Sequence, residues 1–214
     1  MIPAAGGAKR LQPLDGSKEL LEVGGRPVFD YVVERMRAGG ADEIRVVTRP
    51  DKPDVAAHAE RLGLSVVAAE PATAAASVAA ALDGLDGDDT VLIGFPDSIW
   101  EPVDAFAQLL RKPVDLVLAV FPSPEPERSD VVELEGDEVR GVHVKVPEPP
   151  GNLIWGAASA RRAALKHLDE RAEIGHHFDG LAREGRARSV VFSGEFLDIG
   201  TRDALARARS LLGR

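Results

Sequence analysis

The chain has 214 residues, of which 44% are hydrophobic and 29% charged, proportions typical of a globular domain with its own core. Its formal net charge of −9 argues against a surface that coats nucleic acid, because phosphate backbones require a basic face. Cysteine is absent, which excludes disulfides, thiolate metal sites and a cysteine nucleophile.

The N-terminal stretch does not have the pattern of a targeting segment. Residues 1–8 are short and glycine-rich, and Lys9 and Arg10 follow the apolar run instead of preceding it. The alanine-rich stretch 65–82 is interrupted by Glu70 and Pro71, so it does not predict a membrane span. We therefore expect a cytoplasmic protein without a membrane partner.

The first half of the chain alternates between short apolar runs and longer amphipathic segments. Runs rich in Val, Leu and Ile predict buried parallel strands at 44–48, 65–69, 90–95 and 115–121. Helical periodicity predicts helices from Pro27 to Met36 and over 54–63, 74–85 and 101–112. This alternation predicts an open α/β sheet with helices on both faces.

The second half of the chain has a different pattern. Residues 130–146 alternate around a Gly-Asp turn and predict an antiparallel hairpin. Further along, the pattern predicts strands over 152–158, 187–192 and 195–200, the last two completing the sheet, and helices over 159–168, 176–184 and 202–212.

We find no repeat and no linker, and so expect one domain over residues 1–214. The prediction is a mainly parallel, Rossmann-like sheet with helices on both faces and a smaller antiparallel annex. Residues 1 to about 121 are expected to form the parallel unit, in which 2–5 and 90–95 are neighbouring parallel strands, and the 130–146 hairpin is expected to be a separate piece. Ligands of such sheets bind at the carboxyl ends of the strands.

The opening stretch combines a glycine turn with cations. Gly6 and Gly7 follow a short apolar run, and Arg10 and Lys18 come after them. Glycine lets backbone N–H groups face a phosphate, while arginine can grip two phosphate oxygens and lysine supplies a point charge. Taken alone, the stretch is better explained as a surface turn with solvated cations. It is neither a Walker loop nor a dinucleotide fingerprint.

The segment "PAAGGAKRLQPLDGSKELLEVGGRPV" resembles the signature of sugar-1-phosphate nucleotidylyltransferases, in the form seen in glucose-1-phosphate thymidylyltransferases and shorter uncharacterised relatives. The resemblance implies the nucleotide-diphospho-sugar transferase fold and places Arg10 and Lys18 at the family's essential cations. The nucleotide-binding residues that it implies are Ala5, Gly6, Gly7, Ala8, Lys9, Pro71 and Ser77. Ala8 and Lys9 depart from the family's glycine and threonine.

Three later stretches extend the resemblance over nearly the whole chain. "VLIGFPDSIW" and "FLDIGTRDALARAR" imply that Asp97 and Asp198 are the carboxylate ligands of Mg²⁺. "GVHVKVPEPP" implies that Lys145 holds the sugar phosphate. Gly156, beside Trp155, would allow close approach of a sugar ring, although core packing also explains the tryptophan. Taken singly, each aspartate also fits a turn or a helix cap.

The resemblance implies Mg²⁺-dependent nucleotidyl transfer from an NTP, with dTTP or UTP favoured, to a sugar 1-phosphate. Arg10 would bind the β- and γ-phosphates, and Lys18 would bridge the α-phosphate and the incoming phosphate. Two alternatives stay open: another small phosphorylated acceptor, such as a polyol phosphate or a phosphocholine-like molecule, and a non-catalytic sensing module, which the altered residues Ala8 and Lys9 motivate. Homo-oligomerisation also stays open.

Overall fold

The computed structural model describes residues 1–7 and 9–213, apart from the side chain of Lys9. The helices are α1 Val28–Ala38, α2 Pro53–Arg61, α3 Ala74–Ala80, α4 Ala105–Leu109, α5 Ile174–Arg183 and α6 Arg202–Leu212. The strands are β1 Ile2–Pro3, β2 Glu22–Val23, β3 Arg26–Pro27, β4 Arg45–Thr48, β5 Ser65–Ala68, β6 Thr90–Gly94, β7 Ser98–Trp100, β8 Leu116–Pro122, β9 Asp130–Glu135, β10 Glu138–Val144, β11 Leu153–Arg161, β12 Ala187–Val191 and β13 Phe196–Asp198.

The central sheet is continuous through the first residue of the chain. Strands β1, β4 and β5 form a parallel group, and β6 belongs to a six-stranded group in the order β6-β11-β8-β12-β10-β9. The Met1 nitrogen donates to the Leu92 carbonyl at 2.6 Å, and the Gly94 N–H donates to the Met1 carbonyl at 3.2 Å. This is the parallel pairing pattern. It confirms the predicted parallel neighbours at the chain start and at residues 90–95.

Strand β11 is the antiparallel member in the middle of the sheet. It pairs antiparallel with both β6 and β8, while β12 pairs parallel with β8. The predicted hairpin forms as β9 and β10, but it is not a separate piece. Its strands pair with β12 at Glu138 and Arg188 and with β11 at Val131 and Ile154, so the hairpin forms an edge of the main sheet.

Apolar clusters cover both faces of the sheet, as the alternating pattern predicted. One cluster includes Phe29 of α1, Val55 of α2 and Phe106 of α4, and the other includes Val78 of α3 and Phe178 of α5. All five side chains are buried. Burying each of the larger ones stabilises the fold by about 1.5–3 kcal/mol relative to leaving it exposed. The sheet is therefore a fixed base for the loops at its edge.

Two predicted elements are wrong. Residues 159–161 continue strand β11, and Arg162–Leu165 forms a short 3₁₀ turn in place of the predicted helix over 159–168. Strand β13 does not complete the main sheet, because it pairs antiparallel with β7 in a two-stranded ribbon. Within the described residues, no helix is long and apolar enough to cross a membrane.

Candidate active site

The candidate site lies at the edge where neighbouring parallel strands end. Strand β1 leads into residues 4–7, β6 leads into Asp97, and β5 leads into the segment that contains Pro71. These strands are neighbours or near neighbours in the parallel part of the sheet, so their carboxyl ends face the same side. The glycine loop and Asp97 thereby share one edge.

Lys18 joins this edge from a short 3₁₀ turn, Lys18–Leu20. Its ammonium forms an ion pair with the Asp97 carboxylate, and both side chains are mostly buried. The ammonium also lies beside the glycine loop, since a Cβ on Gly6 would be 3.8 Å from Lys18 Nζ. Burial alone would lower the pKa of Lys18, but the Asp97 charge and hydrogen bond outweigh it and raise the pKa. Lys18 is therefore held as a cation.

Asp198 reaches the same place from the β7–β13 ribbon, in which it pairs with Ser98, the neighbour of Asp97. Its Oδ1 accepts the Gly200 N–H at 2.8 Å. A Cβ on Gly200 would lie 2.9 Å from both Arg10 Nη2 and Asp198 Oδ1, so an added side chain would have to displace the end of the Arg10 side chain. Asp198 is exposed at the cleft surface. Desolvation by the surrounding protein, and next the charge of Asp97, raise the pKa of Asp198, while the Gly200 N–H, Lys18 and Arg10 oppose the rise.

Lys145 lines the cleft that Arg10, Asp97 and Asp198 also line, and it directly follows β10. Its Nζ is 2.6 Å from Glu173 Oε1, and the two side chains are 52% and 40% exposed. Lys145 has φ 47°, in the left-handed region that glycine and asparagine favour. For other residues this conformation costs about 1–2 kcal/mol.

Asp130 and Trp155 line the same wall as Lys145. Trp155 Nε1 donates to Asp130 Oδ2 at 3.2 Å, and Oδ1 is buried without a partner in the described structure. Burial raises the pKa of Asp130, and the Trp155 hydrogen bond opposes the rise. Sequence reasoning missed Asp130 and Glu173. Each lies at the edge of a regular element, where polar residues are common, so no local signal distinguishes them.

Gly156 lines the cleft, but the structure gives a different reason for a glycine at this position than the predicted approach of a sugar ring. A Cβ there would lie 2.1, 2.6 and 2.8 Å from three atoms of the Phe196 ring. The ring that approaches Gly156 closely is therefore that of Phe196 in the same chain, and not that of a sugar. Because Phe196 begins the strand that ends at Asp198, this packing also supports a candidate metal ligand.

The remaining predicted nucleotide residues have different positions. Residues 5–7 form the loop after β1, and Pro71 lies in the segment before α3. Ser77 is 2% exposed inside α3 and its hydroxyl has no partner among the described residues, so it does not line the cleft. Ala8 and the side chain of Lys9 lie outside the described part of the chain.

The carboxylates of Asp97 and Asp198 suit magnesium better than a metal ion that takes most of its ligands from the protein. In residues 1–7 and 9–213, no group of three or more acidic, histidine or cysteine side chains is arranged to hold a metal ion. Mg²⁺ takes one or two carboxylates and completes its shell with phosphate oxygens and water. Asp97 is among the charges that raise the pKa of Asp198, so the two carboxylates are close enough to interact electrostatically. Asp97 and Asp198 therefore fit this ion.

The fold and this constellation of cations and carboxylates are those of a nucleotidyltransferase. Residues 1–187 match the family model of the MobA-like NTP transferase domain, and the chain belongs to this family. The resemblance to nucleotidyltransferases seen in the motifs is thereby confirmed.

Two curated relatives and a solved structure are similar to the chain. The bifunctional IPC transferase and DIPP synthase of Rubrobacter xylanophilus is 33% identical over 177 residues, which cover 79% of this chain and 40% of that protein. A glucose-1-phosphate thymidylyltransferase of Streptomyces griseus is 26% identical over 219 aligned residues, which cover 94% of this chain and 62% of that protein. The chain thus spans less than two thirds of either relative.

The solved structure is a Bacillus anthracis protein assigned as a glucose-1-phosphate thymidylyltransferase, in complex with sucrose. It superposes with a TM-score of 0.88 at 20% identity and covers 99% of this chain and 93% of that one. At this identity the likeness shows the fold alone, and it confirms the predicted nucleotide-diphospho-sugar transferase architecture.

Proposed function

We propose that this nucleotidyltransferase transfers a nucleotidyl group from an NTP, with dTTP or UTP favoured, to a sugar 1-phosphate in a Mg²⁺-dependent reaction. The observation that carries the proposal is the meeting of Arg10, Lys18, Asp97 and Asp198 at one edge of the sheet. Two cations and two carboxylates at the ends of neighbouring strands match the needs of a reaction between polyanions.

In the proposed reaction, an oxygen of the acceptor phosphate attacks the α-phosphorus of the NTP. The bond from that phosphorus to the bridging oxygen breaks, and pyrophosphate leaves with the electron pair. Lys18, beside Gly6, stabilises charge on the α-phosphate and the incoming phosphate. Arg10 binds the β- and γ-phosphates and the departing pyrophosphate. Asp97 and Asp198 would hold Mg²⁺, which would supply further charge neutralisation.

The cleft wall around Lys145 supports an acceptor that carries a phosphate group. Lys145 keeps a left-handed backbone conformation that glycine would adopt at lower cost, which favours a role for its ammonium. Its exposed pair with Glu173 is worth about 0–1 kcal/mol, so a phosphate can displace Glu173. Asp130 fixes the neighbouring Trp155 side chain, because its Oδ2 accepts the indole N–H. We assign this wall to the sugar phosphate.

A second candidate is transfer to another small phosphorylated acceptor, such as a polyol phosphate. The relative with 33% identity is named as a bifunctional IPC transferase and DIPP synthase, which favours keeping another acceptor class in the test. A phosphate held by Lys145 suits both acceptor classes. A sensing module without turnover is the remaining alternative.

Pyrophosphate release separates these functions. The protein is incubated with Mg²⁺, each NTP including dTTP, and a panel of sugar 1-phosphates, polyol phosphates and phosphocholine, with Asp97→Asn as the inactive control. Highest kcat/KM with dTTP or UTP and a sugar 1-phosphate supports the proposal. Release with a polyol phosphate alone moves the acceptor to the second class. NTP binding without release from any pair identifies a sensing module.

A further inference from the structure

The first turn of α2 holds two separate parts of the candidate site. Lys52, the residue before the helix, donates from Nζ to the Ala4 carbonyl at 3.1 Å, the Gly6 carbonyl at 2.6 Å and Glu19 Oε1 at 2.9 Å. Ala4 and Gly6 belong to the glycine loop, whereas Glu19 follows Lys18 on the 3₁₀ turn. One ammonium thus links the loop to the turn.

Asp54 makes a second link from the same turn of α2. Its Oδ2 accepts the Ser17 N–H at 3.0 Å, and its Oδ1 accepts the Ser17 hydroxyl at 2.8 Å. Ser17 and Glu19 are the two chain neighbours of Lys18, and both are fixed from α2. We call Lys52 and Asp54 the α2 anchor.

The Lys52 ammonium is not free to bind a ligand phosphate. An ammonium has three N–H donors, and three acceptors surround Nζ. The side chain is 12% exposed and the Glu19 side chain is fully buried at 0%. A buried, fully bonded lysine acts on its neighbours, and not on the nucleotide.

The direction of the Ala4 and Gly6 carbonyls determines where the N–H groups of the glycine loop point. In a trans peptide the N–H points opposite to the carbonyl of the preceding residue. The Ala4 and Gly6 carbonyls point at Lys52, so the N–H groups of Ala5 and Gly7 point away from it. This orientation leaves them available to an anion on the other side of the loop.

We propose that Lys52 is a positioning residue that sets the glycine loop and Lys18 in register for the triphosphate. The expected effect on kcat rests on the proposed nucleotidyl transfer, whereas the expected ordering of the glycine loop and of the turn at Lys18 does not. Because misplacement of a catalytic group by 1 Å can cost about 10²-fold in rate, loss of the anchor is expected to lower kcat by about that factor.

The test compares Lys52→Met with the double variant Lys52→Met/Glu19→Gln. The single variant leaves the buried Glu19 carboxylate without its cation, so it can also unfold the protein. The double variant removes that charge, yet it lacks the bonds to the Ala4 and Gly6 carbonyls. Lys112→Met is the matched control, since Lys112 pairs with Asp137 in the β9–β10 turn.

Hydrogen exchange of residues 4–7 and 17–20 is measured together with pyrophosphate release. We expect faster exchange in both segments of the double variant, an approximately 10²-fold lower kcat and an acceptor KM within about threefold of wild type. Unchanged exchange would overturn the inference, as would faster exchange with wild-type kcat. If the wild type releases no pyrophosphate, the proposed function fails, and the exchange data alone decide whether Lys52 orders the two segments.

Discussion

Gly156→Ala tests the packing of Gly156 against Phe196, the first residue of the strand that ends at Asp198. The added Cβ would lie 2.1 Å from the nearest ring atom, and ordinary contact begins at 3.4 Å, so the ring must recede by about 1.3 Å. Phe196 is half-buried: its ring packs 5.2 Å from Phe121 and 6.3 Å from Trp100, centroid to centroid, and it also lines the cleft. Overpacking of this kind costs about 1–3 kcal/mol.

For a chain of this length, that cost corresponds to a fall in Tm of about 2–12 °C. Urea denaturation and thermal melting measure the change, and Gly151→Ala is the matched control, because a Cβ on Gly151 meets no atom within 4 Å. Gly156→Ala/Phe196→Leu is expected to recover part of the loss. Wild-type stability of Gly156→Ala would refute the packing argument.

Three further substitutions test the site. Lys18→Ala should lower kcat about 10²–10³-fold through lost charge stabilisation, as measured by pyrophosphate release, and retention of kcat would place the essential cation elsewhere. Lys145→Asn suits the left-handed backbone, so it should preserve Tm while raising KM for the acceptor much more than KM for the NTP; equal effects on both would contradict the assignment. Burial raises the pKa of Glu19, so wild-type unfolding free energy should fall as pH rises from the ordinary value of 4.5 to the raised one, and Glu19→Gln should lack this loss. A pH-independent difference in urea denaturation between these two proteins would show that Glu19 does not titrate in this way.

The sequence correctly predicts the central strands, whereas β5, predicted as a buried strand at 65–69, is an edge strand whose residues are exposed or half-buried. Strands β4, β6 and β8 are apolar on both faces because helices cover both sides of the sheet. The helix predicted over 159–168 fails for a tertiary reason. Strand β11 pairs with β6 as far as Arg161 and with β8 as far as Ala160, and this pairing overrides the helix-forming alanines. Strands β2 and β3 carried a signal that was missed, since Gly24 and Gly25 form a two-residue hairpin turn with φ 61° and 78°.

The residues of the candidate site likewise fall into those that the sequence could predict and those that it could not. Lys18, Asp97 and Asp198 stand in short local motifs, so the sequence alone could bring them forward. Lys52 and Asp130 act through partners 33 and 25 residues away, and such pairings follow from the fold instead of from any local spacing. Contacts of this kind become visible only when the sheet places the loops side by side.

The ion pairs of the cleft explain how a protein with net charge −9 can present cations to a polyanion. Lys18 and Lys145 are each bonded to a carboxylate, those of Asp97 and Glu173. A bound phosphate must therefore compete with a carboxylate for each ammonium. Exchange of one anion for another leaves the cation paired throughout, which avoids the cost of an isolated charge in a partly buried site. Because Asp97 is also a proposed Mg²⁺ ligand, binding of Mg²⁺ to Asp97 would weaken the Asp97–Lys18 ion pair. Lys18 would then be freer to interact with the triphosphate. Metal and nucleotide would then favour each other's binding.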